Sequence, residues 1–390
     1  MRLHNASFAY FGLFLSREMH RLGHLGTLYT NLPWTRLRML PSSTYRSMPL
    51  LAAPMVLHKL GLHRAGNWAG YPAIQLFDQW VSHNLSACDV FHCFSSFGLR
   101  SFQTARDRYA ALTVVERGSS HIRFQHDILK EEYARWGVPF AGIDQRGIER
   151  EEAEYAICDR ITVQSTFAER TFLEAGIPAE KLIKLPLGVD VSMFHPAPKQ
   201  DGVFRVLYAG HCSIRKGIPY LLEAVSGLRL PNFELAINGA IAPEVSELMA
   251  RHASQYRFLG FQPLDKLREV YSQASVLVLP TIEDGFAKVV SEAMACGVPV
   301  IATTNCGALD VLNDGVEGFI VPVRDPRAIR EKILLLYENP ELRDAMGAAA
   351  LARARAVIDL NSYGERAVAA YQQALRAKRG GAVTQAEARA

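Results

Sequence analysis

Between residues 204 and 337, short runs dense in Val, Leu and Ile alternate with stretches of helical periodicity, and this alternation limits the fold more than any other feature of the chain. The runs are 204–208 (FRVLY), 233–237 (FELAI), 275–279 (SVLVL), 298–302 (VPVIA) and 319–321; the helical stretches are 219–225, 243–252, 265–273, 288–296 and 326–337. A strand that is apolar on both sides must be covered on both faces, and a helix after each strand returns the chain to start the next in parallel. The pattern predicts a doubly covered parallel sheet, which takes ligands at the carboxyl ends of its strands. The first half repeats the theme more faintly. Strands are expected at 112–116 (LTVVE) and 160–164 (RITVQ), and helices at 145–157 and 166–175, the second closed by Gly176 and Pro178. The stretch 195–201 (HPAPKQD), with two prolines among polar residues, reads as a linker. Two such sheets joined there leave a cleft between them.

At about 150 residues per domain, 390 residues make two or three domains. Hydrophobic residues are 49% and charged residues 21% of the chain, enough apolar surface to offset ordering entropy and exclude disorder as the main state. No apolar run approaches the roughly 18–20 residues that span a bilayer. The patch 6–15 is short, lacks a small-residue cleavage site and is followed by Arg17 and Glu18, so it is not read as a signal peptide. The six cysteines (Cys88, Cys93, Cys158, Cys212, Cys296 and Cys306) form no C-x-x-C pair and sit mostly in apolar surroundings. That is the usage of reduced thiols in a cytoplasmic protein rather than of disulfides or a zinc site.

The net charge of +4 hides an asymmetry. Residues 1–77 hold Arg2, Arg17, Arg21, Arg36, Arg38, Arg46, Lys59 and Arg64 against Glu18 alone, a formal +7, which leaves −3 for the rest. A basic N-terminal face suits an anionic partner such as the inner membrane leaflet or a phosphorylated acceptor, and it equally suits a plain solvated surface. Dense Lys/Arg runs and any nucleic-acid reading module are absent.

Two segments carry chemistry. In 280–301, PTIEDGFAKVVSEAMACGVPVI, a buried strand leads into a loop with Glu283 and Asp284, then Gly285, which permits close backbone approach, then a helix expected from near Phe286. Amides at a helix start suit a diphosphate. Glu292 falls roughly 9 Å further on at 1.5 Å per residue, so acids stand on either side of such a group, where hydroxyls would be. Spacing alone equally allows a solvated Glu292 and loop acids that only favour the helix terminus. In 207–224, LYAGHCSIRKGIPYLLEA, a strand runs into a glycine-containing loop with adjacent Arg215 and Lys216, then Gly217 and a helix. Cations at such a turn are placed to neutralise phosphate, or are surface cations. Neither G-x-x-x-x-G-K-[ST] nor G-x-G-x-x-G occurs.

Together these segments resemble the retaining GT-B glycosyltransferases, specifically glycosyltransferase family 4, over roughly residues 155–375. The resemblance implies two Rossmann-like domains facing a central cleft. Residues 1–195 would bind acceptor and 196–360 the nucleotide-sugar donor; a helix over 361–377 would pack back on the first domain, and 378–390 would form a flexible tail. The family spaces a carboxylate and a glutamate by seven residues, which gives those roles to Asp284 and Glu292, with Gly285, Phe286, Ala287 and Lys288 around the donor. The first acid is Asp where Glu is commoner, Glu283 would share its role, and Ala287 stands where glycine is usual. The segment AGHCSIRKGIPYLLEA resembles the family's G-x-x-x-x-[RK]-K-G loop, so Arg215 and Lys216 would hold the donor diphosphate beside Gly210 and His211. His211 stands where many members carry Arg. The segments 184–196 (KLPLGVDVSMFHP), 158–170 (CDRITVQSTFAER) and 13–30 (LFLSREMHRLGHLGTLYT) match further family elements. Members often carry a histidine in a loop such as 114–121 (VVERGSSH) that bonds the transferred sugar; His121 is the candidate, with His126 and His92 as rivals. Arg117 and Ser119 of the same loop become acceptor-side candidates.

The implied activity is a retaining transfer of a sugar from a nucleotide-sugar donor, a UDP- or GDP-sugar first, to a saccharide or lipid-linked acceptor. No D-x-D occurs, and the Arg/Lys pair would do a metal's electrostatic work, so no metal or other cofactor is expected. The place of action would be cytoplasmic, peripheral to the inner membrane face. Two alternatives share the architecture: a sugar-nucleotide 2-epimerase, and a non-catalytic nucleotide-binding module.

Overall fold

The computed structural model describes residues 1–8, 12–59, 63–140, 142–358 and 360–387. Among them, two parallel sheets form. The first contains β1 (Leu3–Ser7), β2 (Leu25–Thr30), β3 (Tyr45–Ser47), β4 (Val90–Phe94), β5 (Leu112–Arg117), β6 (Arg160–Val163) and β7 (Leu182–Lys184), in the order β3-β2-β1-β4-β5-β6-β7. The second contains β8 (Phe204–Ala209), β9 (Phe233–Asn238), β10 (Arg257–Gly260), β11 (Val276–Leu279), β12 (Val300–Thr303) and β13 (Gly318–Val321), in the order β10-β9-β8-β11-β12-β13. In both, the order reverses beside the first strand, and that switch opens the crevice where such sheets take ligands.

The sequence pattern explains why these elements form. Strands β8 and β11 are buried along their whole length, as their Val/Leu runs require. Helix Thr166–Glu174 is started by Ser165, whose hydroxyl accepts from the Ala168 amide, and ends before Gly176 at φ +83°. Helix Pro326–Glu338 combines an Asp325 cap with Pro326 in its first turn. The 195–201 stretch has no regular structure and joins the two sheets.

One apolar core runs through both halves. Leu3, Val90 and Val114 of the first sheet and Leu15 of helix Leu13–Arg21 join Leu207, Leu277 and Val300 of the second sheet through Leu185, Leu187 and Phe194. The last helix, Leu360–Glu387, contributes Tyr363, Ala367 and Tyr371 to it. This helix lies against the first domain, where Phe14 meets Tyr363 and Lys378 donates to Asp159 at 2.7 Å. The expected tail from 378 is therefore helical as far as Glu387, tied at its start by Lys378 and by Arg379 on Asp89; residues 388–390 lie outside the described ones. All six thiols are buried and unbridged. Among the described residues, no helix is long and apolar enough to cross a membrane.

Candidate functional site

Three loops at carboxyl ends of strands meet between the domains: 118–121 after β5, 210–217 after β8, and 280–287 after β11. The two loops of the second domain are knitted together by Ile282 N–H donating to Arg215 O at 2.9 Å and Thr281 Oγ1 donating to the same oxygen. Gly217, at φ +68°, has no room for a side chain, since a Cβ there would lie 1.9 Å from Pro280 O. Beyond the loop, the helix begins at Lys288, where the helical periodicity places it and two residues after the start near Phe286 that the loop motif suggests, because Phe286 and Ala287 complete the loop. Ala287 caps it in the left-handed region (φ +65°), a conformation that glycine takes at lower cost.

A cavity of about 290 Å³ sits where the three loops meet, lined by Gly118 and Gln164 of the first domain and by Lys216, Asp284, Phe286 and Lys288 of the second, among others. Lys216 Nζ donates to Asp284 Oδ2 across it. Through Ala209, Gly210 and Val289 this cavity continues into one of about 450 Å³, lined by Asn238, Gly239, Phe261, Gln262, Tyr271 and Glu292, among others. Phe261 is 81% exposed at the rim, a bare ring beside the hollow. Glu292 accepts from Tyr271 Oη at 2.7 Å, and burial pushes its carboxyl above the usual range. Asp284 and Glu292 thus stand at opposite ends of one trough, with Lys216 beside Asp284 and the charge of Lys288 acting on Glu292. His211, exposed, and Gly210 (φ +147°) border the second cavity. Asn238, Gly239, Phe261, Gln262 and Tyr271 are not singled out by the sequence motifs, although β9 and β10 end at this hollow, as the carboxyl-end rule requires.

The neighbouring acid has a different position. Glu283 is fully buried and its oxygens are occupied. Ser119 Oγ at 2.5 Å, Ser120 N at 3.0 Å and Ser120 Oγ at 2.7 Å donate to one; Gln125 Nε2 at 2.8 Å and Arg215 Nε at 2.9 Å donate to the other. Burial alone would raise this carboxyl, but the Arg215 guanidinium and the serine donors hold it at about 2. Glu283 therefore fastens the two domains and does not face the trough, which corrects its expected catalytic role. Arg215 is drawn into the same joint, its Nη2 donating to Ser119 Oγ at 3.1 Å, so Lys216 is the loop's cation that reaches the cavity. Ser119 is likewise consumed by the joint, and Gly285 lies against it: a Cβ there would fall 2.3 Å from Gly118 O.

The 114–121 loop does not deliver its other candidates. His121 caps helix Ile122–Arg135, its Nδ1 accepting from Arg123 N at 3.3 Å, and its ring packs on Tyr155 and Phe172. It lines a separate hollow with Arg123, Glu152 and Thr171, and burial lowers its pKa. Arg117 is buried, bonded to Ser120 O, Glu151 and Gln125. Of the rivals, His126 pairs with Asp127, and His92 is buried between Asn5 (2.9 Å) and Glu116 (3.5 Å); burial lowers it to about 3. Among the described residues, no group of three or more His, Cys, Asp or Glu is gathered to hold a metal ion.

Comparison with known proteins agrees with this geometry. Residues 193–353 match the family model described as Glycosyl transferases group 1. The chain is 32% identical over 142 residues to an uncharacterized glycosyltransferase of Methanocaldococcus jannaschii, covering 36% of this chain and 40% of that one. It is 34% identical over 213 residues to the phosphatidyl-myo-inositol mannosyltransferase of Mycobacterium tuberculosis, covering 51% and 55%. The chain thus spans about half the length of these curated relatives. In fold, it superposes on Anabaena HepE, a crystal structure in complex with UDP, with a TM-score of 0.71, 16% identity, and coverage of 96% of this chain and 100% of that one. Two Rossmann-like domains around a central cleft, the GT-B fold, are the architecture of this chain.

Proposed function

We propose that the protein is a retaining, metal-independent glycosyltransferase that moves a sugar from a nucleotide-sugar donor to a saccharide or lipid-linked acceptor. One observation carries the reading: a single trough with the Lys216–Asp284 pair at one end and the Tyr271–Glu292 pair at the other. A nucleoside diphosphate sugar has that polarity. Its base would lie against Phe261 and its ribose hydroxyls would donate to Glu292. The diphosphate would rest on Lys216 and the first amides of helix Lys288–Ala295, which have no acceptor within the helix. The transferred sugar would then reach Asp284, whose carboxylate takes a hydroxyl and fixes the anomeric carbon. As the bond from that carbon to the diphosphate breaks, negative charge grows on the departing oxygen; Lys216 and the amides stabilise it. The same oxygen takes the proton of the attacking hydroxyl on the same face, which retains configuration. UDP is the first donor base to test, since the Anabaena neighbour was crystallised with UDP.

The test is a melting-temperature screen of UDP-, GDP-, ADP- and dTDP-sugars. A true donor at 100 times its Kd stabilises the fold by about 2.7 kcal/mol. The stabilising donor is then incubated with and without candidate acceptors. A new glycosidic bond made only with acceptor is expected. No stabilisation by any nucleotide sugar, or conversion of the donor without acceptor, would overturn the assignment.

A further inference from the structure

The loop after β2 is built to present apolar and basic side chains outward. Leu32, Leu37 and Leu40 are buried in a small cluster with Leu28 and anchor the loop. The residues between them turn to solvent: Trp34 is 64% and Met39 55% exposed, with Arg36 and Arg38 exposed beside them. Next in the chain come β3, the edge of the sheet, with exposed Arg46, then the short 3-10 helix Pro49–Ala52, where Leu50 is 84% exposed, and helix Ala53–Lys59, where Val56 is 51% exposed. No Asp or Glu occurs between Glu18 and Asp78, so nothing within this segment neutralises the arginines. A tryptophan, a methionine and two aliphatics left in water together are more than scattered surface residues require.

We infer that the surface formed by Trp34, Arg36, Arg38, Met39, Arg46 and Leu50 docks the protein on anionic lipid bilayers. Charge complementarity selects the occupant. Arginines are drawn to acidic headgroups, while tryptophan and short aliphatics enter the interfacial layer. A second copy of the chain would instead oppose arginine to arginine. The placement also matters for the crevice. In a parallel sheet all carboxyl ends share one edge, so the start of the loop after β2, near Trp34, and the short helix after β3, with Leu50, lie on the same edge as the loop after β5 that walls the cavity. Docking there brings the crevice mouth to the lipid surface. Its consequence for a lipid-linked acceptor rests on the reading above, but the docking itself needs no transfer.

Flotation of the full chain with vesicles of phosphatidylcholine alone, or of phosphatidylcholine with phosphatidylglycerol, tests it. Binding is expected to the anionic vesicles, falling with salt because exposed charges are screened. R36Q/R38Q/R46Q should lose about fivefold in partitioning per arginine. W34S/L50S should bind more weakly at every salt concentration, while melting temperature and donor-induced stabilisation stay unchanged in both variants. Absence of flotation at low salt, equal binding of the parent to neutral vesicles, or undiminished binding of both variants would overturn the proposal. So would lipid-free dimerisation that W34S/L50S abolishes. Flotation without any donor binding would leave the docking standing and remove the transferase.

Discussion

Glu292 illustrates how burial converts a side chain into a ligand hook. Its carboxyl is raised first by burial, with the Tyr271 hydroxyl and the charge of Lys288 pulling the other way. In the proposed complex the ionised form would accept from ribose hydroxyls, and the raised pKa means protonation begins at a higher pH than for an exposed acid. Donor affinity should therefore fall as pH is lowered, with Glu292→Gln weaker throughout, by about 10- to 100-fold, and flatter in pH. Calorimetric titration across pH checks this, and a profile of the same shape in both proteins would refute it. Lys216→Ala should lower kcat by about 100-fold or more with melting unchanged, because it removes charge from the departing group. Near-normal turnover would count against the site. Lys216, Asp284 and Glu292 were legible through the family resemblance, since spacing alone left a solvated Glu292 and plain surface cations equally open. His121, Arg117 and Ser119 were not. A sequence gives loop membership, whereas direction was decided by buried partners on distant segments: Tyr155 and Phe172 for His121, Glu151 for Arg117 and Glu283 for Ser119.

At the scale of elements, the alternation of apolar runs located β5, β6 and most of the second sheet to within one or two residues. Strands β1 and β4 escaped because their interiors are polar: Asn5 donates to Gly12 O and Ser16 Oγ, while accepting from His92. Those bonds satisfy buried polar groups and erase the apolar signature at once. Strand β10 escaped as an edge strand with exposed Arg257 and Phe258. The loop 280–287 was legible as chemistry but not as a domain contact. Gly285 touches Gly118 and Ser119, so Gly285→Ala must push the domains apart at the cavity wall. Transfer should drop at least tenfold, since misplacement of about 1 Å is costly in a preorganised site. Donor affinity, set by Glu292 and Lys216 within one domain, should change little. A kcat and a donor Kd measured on G285A separate these, and unchanged kcat would show that the contact is incidental.

Polar joints tie the two domains together at three places among the described residues. The first is the Glu283 cluster. In the second, Arg324 of the second domain bonds Glu131 and Glu132 of the first, and Tyr220 Oη donates to Glu132 at 2.6 Å. In the third, Thr166 N and Oγ1 of the first domain donate to Asp310 of the second at 2.8 and 2.7 Å. The last helix adds its own bond by crossing back to the first domain. Closure excludes water from the trough, so the strength of these joints bears on whether a bound sugar meets acceptor or water. The first joint carries a pH signature. Glu283 sits at about 2 in the folded protein against an ordinary value of 4.5, held down against its burial first by Arg215 of its own domain and then by Ser119 and Ser120 across the joint, so its ionised form favours closure through the serine donors. That contribution is complete above the ordinary carboxylate range and is lost as pH falls from about 4.5 toward 2. The radius of gyration in solution should therefore rise over that acid interval before the domains themselves melt. Glu283→Gln should show the larger radius already at neutral pH, because an amide cannot replace the charge that Arg215 and the serines hold. Arg324→Ala, by contrast, loosens the second joint at every pH and leaves the acid transition of the first in place. Scattering curves of the three proteins from neutral to acid pH separate the joints. If E283Q keeps the compact radius at neutral pH, closure rests on the Arg324 and Asp310 joints and the core between the domains, and the Glu283 cluster only follows.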